Sequence, residues 1–209
     1  MAETMIISQQ PYYDYKDAQT DIKSIIHAIN LLYRGSEVHP NGLVGAEIGV
    51  FRADSFMTIL HNCPNVTKLH GVDAYKPYAD FLKDEPSDGQ PAYVVDEKQI
   101  EYVKLTSYHH QKYSGCQEKI VFHEMDSNDA AKEIEDESLD FIFLDACMTG
   151  EQAYNDIEVW YPKVKSNGLF AGHDWNSLDV QSAVVKFIGR NPSISDWSRY
   201  DNTWAWIKP

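Results

Sequence analysis

The sequence predicts an α/β fold: a doubly wound three-layer sandwich on a mostly parallel seven-stranded sheet, closed by a C-terminal antiparallel hairpin. Three observations predict it. From Val44 onward, strand-length apolar runs alternate with stretches of helical period, the arrangement that builds a parallel sheet. The run Leu139-Asp140-Phe141-Ile142-Phe143-Leu144 is nearly continuous in apolar residues, as in a strand covered by helices on both faces. Finally, a carboxylate falls in or beside the end of each of five strands: Glu47, Asp73, Asp126, Asp145 and Asp174. Turn and cap preference accounts for one or two such acids. Five in register point to one shared site, because such sheets bind ligands at the carboxyl ends of their strands.

Taken in order, residues 1–16 form an N-terminal arm with Pro11, Tyr12, Tyr13 and Tyr15 and no clear period. A helix follows from Asp17, with Ile22, Ile25, Ile26, Ile29, Leu32 and Tyr33 on one face and Gly35 as its stop; arm and helix together occupy 1–40. Val44–Val50 is the first strand. It turns on Gly49 into a helix from Asp54 to about Asn62, stopped by Pro64. Thr67–Val72 makes the second strand. Residues 76–95 are broken by Pro77, Pro86, Gly89 and Pro91 and read as an insertion that, with Tyr75, Tyr78, Phe81 and Tyr93, suits a substrate lid.

Beyond it, the pattern predicts a helix from Asp96 to Tyr113 carrying His109 and His110, then a third strand over 119–124. Ser127 is expected to cap a helix running to about Glu135. Leu139–Leu144 is the fourth strand, and a helix from Glu151 to Tyr161 ends at Pro162. Gly168–Gly172 is the fifth strand. Ser177 starts a helix that Gly189 ends, and 196–200 with 203–207 alternate as a hairpin around Asp201-Asn202. The whole chain reads as a single domain, 1–209.

Composition narrows the function. The chain has 209 residues, 43% of them hydrophobic, and a formal charge of −14. That charge opposes a nucleic-acid backbone or an anionic membrane as partner. Three scattered cysteines, Cys63, Cys116 and Cys147, make neither a disulfide framework nor a zinc site. No signal peptide or membrane-length apolar run is evident, so a cytoplasmic location is the expectation.

The turn itself is the strongest local motif. An acid before a glycine at a strand-to-helix junction offers a ligand close approach to backbone, exposed N–H groups and a carboxylate. Glu47-Ile48-Gly49-Val50-Phe51-Arg52-Ala53-Asp54-Ser55 resembles the first motif, E-x-G-x-x-x-G-x-S, of a small-molecule branch of the class I S-adenosylmethionine-dependent methyltransferases. Ala53 takes the place of the last glycine. Phe141 to Asp145, Tyr154-Asn155-Asp156, Trp160-Tyr161-Pro162-Lys163 and Gly168 to Asp174 resemble that branch's later strand, helix and strand. The likeness spans about Val44 to Phe187.

The resemblance implies a Rossmann-like fold and S-adenosylmethionine as cofactor. It implies that Glu47 faces the methionine amino group, that Gly49, Val50 and Ser55 line the turn, and that Asp73 with Ala74 takes the ribose hydroxyls. Asp126 and Ser127 are to face adenine, and Asp145 the sulfonium. Carboxylates suit a cationic cofactor without phosphate, and Arg52 is expected to point away or pair with an acid. Asp145, His173 and Asp174 are the candidate catalytic residues, with His173 a possible general base. Asp145 and Asp174 also match positions that bind magnesium in some related oxygen methyltransferases. His173 and Trp175 depart from the oxygen ligands that a hard cation prefers, so a divalent metal is not favoured.

The expected function is methylation of a small molecule, with oxygen the accepting atom. Two alternatives stand beside it. A NAD-dependent oxidoreductase on a similar sheet lacks support, because G-x-G-x-x-G is absent. A binding module that keeps the cofactor without turnover is the other, with Ala53 and Met148 as its departures from the pattern.

Overall fold

Six consecutive buried residues need cover on two sides. Leu139–Leu144 forms a strand in which every residue is buried. Successive side chains of a strand point to opposite faces. Phe141 and Phe143 therefore pack with Ile25, Phe56 and Ile59 on one side, and Ile142 and Leu144 with Ile157, Trp160 and Val184 on the other. Each large side chain withdrawn from water contributes roughly 1.5–3 kcal/mol.

The computed structural model describes residues 22–76, 97–146, 149–200 and 202–209. In chain order the elements are α1 (Lys23–Leu32), β1 (Leu43–Ile48), α2 (Asp54–Asn62), β2 (Val66–Val72), α3 (Glu97–Tyr113), β3 (Ile120–His123) and α4 (Ser127–Glu133). They continue with β4 (Leu139–Leu144), α5 (Gly150–Trp160), β5 (Val164–Gly172), α6 (Leu178–Arg190), β6 (Trp197–Tyr200) and β7 (Thr203–Ile207). The sheet order is β3-β2-β1-β4-β5-β7-β6. The first five strands of this order run parallel, and β7 lies antiparallel between β5 and β6. α1 and α2 cover one face; α4, α5 and α6 cover the other. This is the Rossmann-like doubly wound sandwich that the sequence predicts.

Several boundaries differ. β1 ends at Ile48, two residues short of the expected end, because Gly49 turns to φ +89° and leaves the extended region. β5 begins at Val164 rather than Gly168. Ser127 does not cap α4: Asp126 occupies the cap position, and Ser127 is the first helical residue. Gly189 lies inside α6, which runs on to Arg190. The arm at 1–16, the insertion apart from Lys76, Cys147, Met148 and Asp201 lie outside the described residues. Among the described residues, no helix is long and apolar enough to cross a membrane.

Candidate active site

Register decides which residues meet. Ile48 stands beside Val72 and Leu144, Val72 beside His123, and Leu144 beside Gly172. One step beyond this row lie Gly49, Asp73, Glu124, Asp145 and His173, so the carboxyl ends of five parallel strands do form one edge. Glu47 sits within β1, Asp126 three residues past β3 and Asp174 two residues past β5.

Gly49 is required by packing as well as by its φ. A Cβ there would stand 2.1 Å from the Asp145 carbonyl oxygen. The glycine thus admits the neighbouring chain, a role the sequence reading gave to a ligand. Gly49 donates to the Val72 carbonyl at 2.8 Å, and Asp145 to the Ile48 carbonyl at 2.7 Å. These bonds pin the turn between β2 and β4. Phe51 and Ala53, at φ +50° and +69°, continue the turn into α2. The resembling motif has glycine where Ala53 stands, which this left-handed backbone explains.

Glu47 is wholly buried. Its Oε1 accepts from Ser55 Oγ at 2.5 Å, while Oε2 has no partner. Burial pushes its carboxyl well above the ordinary range, the Ser55 bond opposes this, and Asp145 and Asp54 add to the rise. A sealed, acceptor-rich carboxylate with one open oxygen suits a cationic donor such as an ammonium. S-adenosylmethionine carries that group, so the site fits the cofactor implied by the motif.

Asp73 accepts from the backbone N–H of Phe51 and of Tyr75, each at 2.8 Å. The second bond spans Ala74 and fixes the loop after β2. Burial raises the Asp73 carboxyl despite these bonds. Val50 turns its side chain into the core, at 2% exposure, so only its backbone belongs to the turn. Arg52 pairs with Asp54 at 3.1 Å, the pairing with an acid that the sequence reading expects.

At the far end, Asp126 is ion-paired with Lys76 at 2.5 Å. Ser127 turns its hydroxyl away from the edge. Its Oγ donates to Asp156 at 2.7 Å and accepts from Trp160 Nε1 at 2.8 Å. The Ser127 side chain is therefore engaged in the core and not turned toward the edge where the adenine role was expected of it. Asp156 is a buried hydrogen-bonding carboxylate, and burial raises its carboxyl.

Asp145, His173 and Asp174 come together as the sequence requires. His173 Nδ1 lies 3.2 Å from Asp145 Oδ1 and 3.2 Å from Asp174 Oδ1. Burial alone would drive its proton off, but the two carboxylates overcome this and lift the imidazolium to about 11. A ring that already holds its proton between two acids is not a free base. The two acids favour the protonated ring, which weighs against the base role expected of His173. Asp174 adopts φ +57°, which brings its carboxylate round to the ring.

The same three side chains could hold a cation, since their ligand atoms all lie within 4.8 Å of one another. An ion there must displace the shared proton and accept a nitrogen among its oxygens. A cleft beside the group runs between Ala153, Ile157 and Val180, with Trp204 at its wall.

Sequence reasoning missed three contributors. Glu124 directly follows β3 and is bonded by Lys104 and Tyr108; those bonds hold its carboxyl below the usual range. Asn202, read only as a turn residue, places Nδ2 3.4 Å from Asp174 Oδ1 and 3.5 Å from His173 Nε2. Lys76 was counted with the insertion. Only Glu124 carried a local signal, as the last residue of the third apolar run.

The model of a family described as a methyltransferase domain matches residues 46–175, more than half of the chain. The chain belongs to that family, and its fold and site place it among the class I S-adenosylmethionine-dependent methyltransferases. Solved structures agree in fold. The O-methyltransferase NovP superposes with a TM-score of 0.60 at 14% identity, over 88% of this chain and 79% of that one. CalS11, a calicheamicin methyltransferase, gives 0.59 at 13%, over 91% and 80%. TomG from Streptomyces achromogenes, an O-methyltransferase of tomaymycin synthesis solved with S-adenosylmethionine, gives 0.56 at 10%, over 97% and 93%. Among curated proteins none matches the chain in sequence.

Proposed function

We propose that this protein transfers a methyl group from S-adenosylmethionine to an oxygen of a small molecule, at the Asp145–His173–Asp174 group. The observation that carries the reading is the sealed Glu47 carboxylate with its unpartnered Oε2, one strand away from that group. When bound, the cofactor supplies a methyl on a cationic sulfur, already activated for in-line displacement.

The chain's own residues then have separable tasks. Glu47 holds the ammonium, with Ser55 fixing its orientation. Asp73, held by backbone N–H groups, accepts the ribose hydroxyls through its remaining lone pairs. Asp126 and the Ser127 backbone flank adenine. Asp145 would stand beside the positive sulfur, where donor and acceptor meet. His173 orients both acids through one shared proton, and Asp174 Oδ2 receives the proton of the acceptor hydroxyl. Alignment and proton removal are what this displacement asks of the protein. Asp145 and Asp174, with His173, are also the residues that would hold a metal.

Titration calorimetry with S-adenosylhomocysteine and with NAD tests the cofactor, and turnover of a hydroxylated acceptor panel with and without EDTA tests the chemistry. The expected result is binding of the first ligand only, with transfer to oxygen that persists in EDTA. Binding of NAD instead, or cofactor binding with no transfer to any acceptor, would overturn the reading.

A further inference from the structure

The loop that carries Asp174 is held from the far end of the chain. His173 still follows the sheet ladder, its N–H donating to the Leu144 carbonyl at 2.9 Å. Asp174 then leaves the sheet at φ +57°, a backbone that a residue with a side chain keeps only where its surroundings hold it. Asn202, the residue before β7, reaches Asp174, Trp175 and Asn176 in succession. Its backbone carbonyl accepts from the Trp175 N–H at 3.0 Å, and its Oδ1 accepts from the Asn176 N–H at 2.8 Å. Its Nδ2 lies 3.4 Å from Asp174 Oδ1. Close by, Trp204 Nε1 donates to the His173 carbonyl at 3.0 Å, so β7 grips the loop on both sides of Asp174.

The partners decide which way the Asn202 amide points. Asn176 brings an N–H, which only an oxygen of the amide can accept, so the NH2 group is turned toward the Asp174 carboxylate. The two ends of one side chain thus have separable effects: the oxygen holds the loop, and the nitrogen donates toward the acid. Asp174 Oδ1 also faces His173 Nδ1, at 3.2 Å. A carboxylate engaged through Oδ1 by ring and amide has its Oδ2 set in one direction. That is the alignment a proton-accepting oxygen needs.

We propose that Asn202 is a positioning residue for methyl transfer: its amide nitrogen fixes the Asp174 carboxylate, and through it the C-terminal hairpin sets the geometry of the acceptor side. The inference rests on the reaction proposed above, in which Asp174 Oδ2 receives the proton of the acceptor hydroxyl. Asn202 acts through Asp174 and leaves the donor pocket at Glu47 and Asp73 untouched.

Two variants of the full chain separate the oxygen from the nitrogen. Asn202→Ala removes both. Asn202→Asp keeps an oxygen for the Asn176 N–H but replaces the donor with a carboxylate set against Asp174. Both are compared with the parent in EDTA, using S-adenosylmethionine and the hydroxylated compound that the parent methylates fastest. In each variant kcat is expected to fall at least about tenfold, with Asn202→Asp no better than Asn202→Ala and S-adenosylhomocysteine affinity as in the parent. Hydrogen exchange over residues 173–177 reads the loop by itself: Asn202→Ala should speed it, and Asn202→Asp should leave it near the parent rate. A side chain that only holds the loop gives a different pattern, with Asn202→Asp restoring parental kcat, and that result would overturn the proposal. So would parental kcat in Asn202→Ala, a kcat loss that tracks loop exchange in both variants, or loss of S-adenosylhomocysteine binding alongside kcat. A parent that methylates no acceptor refutes the reaction itself and this role with it, so the two failures are told apart.

Discussion

Glu47 shows how one side chain can be costly to the empty fold and useful to the loaded one. Its carboxylate is shut away from water with an oxygen unpaired, an arrangement that costs stability unless a cation arrives. Glu47→Gln keeps the shape and removes the charge. It is expected to leave the melting temperature of the apoprotein unchanged or raised. It should weaken S-adenosylhomocysteine by about 10- to 100-fold, the usual worth of a charge-assisted hydrogen bond. Thermal melts and calorimetry on the same variant check both halves. Loss of binding together with loss of stability would instead mark Glu47 as a packing residue.

At the scale of elements, the β1–α2 turn and the β2–β3 edge give opposite lessons. Gly49→Ala must fit a Cβ 2.1 Å from a backbone oxygen, at φ +89°. Left-handed strain and overpacking together predict a loss of about 3 kcal/mol or more in chemical denaturation. The edge is milder. His70 Nδ1 and His123 Nε2 are 3.0 Å apart, with the rings stacked, and Glu133 lies beyond His123 at 3.3 Å. Burial first, then His123 and Lys68, lower His70 to about 4 from 6.5. The folded state therefore binds fewer protons than the unfolded chain between those values, and stability falls as pH drops from 6.5 toward 4. His70→Gln should flatten that decline in melts taken across pH 7 to 4.5.

For the molecule as a whole, an excess of fourteen negative charges works against the compact state, and screening it should help. The melting temperature is expected to rise as sodium chloride is added from low ionic strength to about 0.3 M; a fall would show that attractive pairs dominate.

The fold was legible because its signals are local. Alternating runs, a glycine turn and the acids after strands survive in one dimension, so Glu47, Asp73, Asp145 and Asp174 could be picked without coordinates. What the sequence hid was direction. Nothing local says that the Ser127 hydroxyl turns inward to Asp156, or that Val50 points to the core. Nor does it say that two acids converge on one nitrogen of His173. Asn202 escaped because it reaches the site only through the return of β7 beside β5, a contact between distant segments.

Gly49 and Asp145 touch backbone to backbone, with a Cβ at Gly49 standing 2.1 Å from the Asp145 carbonyl oxygen, so the seam between β1 and β4 leaves no slack at the carboxyl edge. On the reading proposed above, that seam underlies the meeting point of methyl donor and acceptor. Whatever affinity the filled donor pocket lends to an incoming hydroxyl compound, that compound must return in equal measure to the donor.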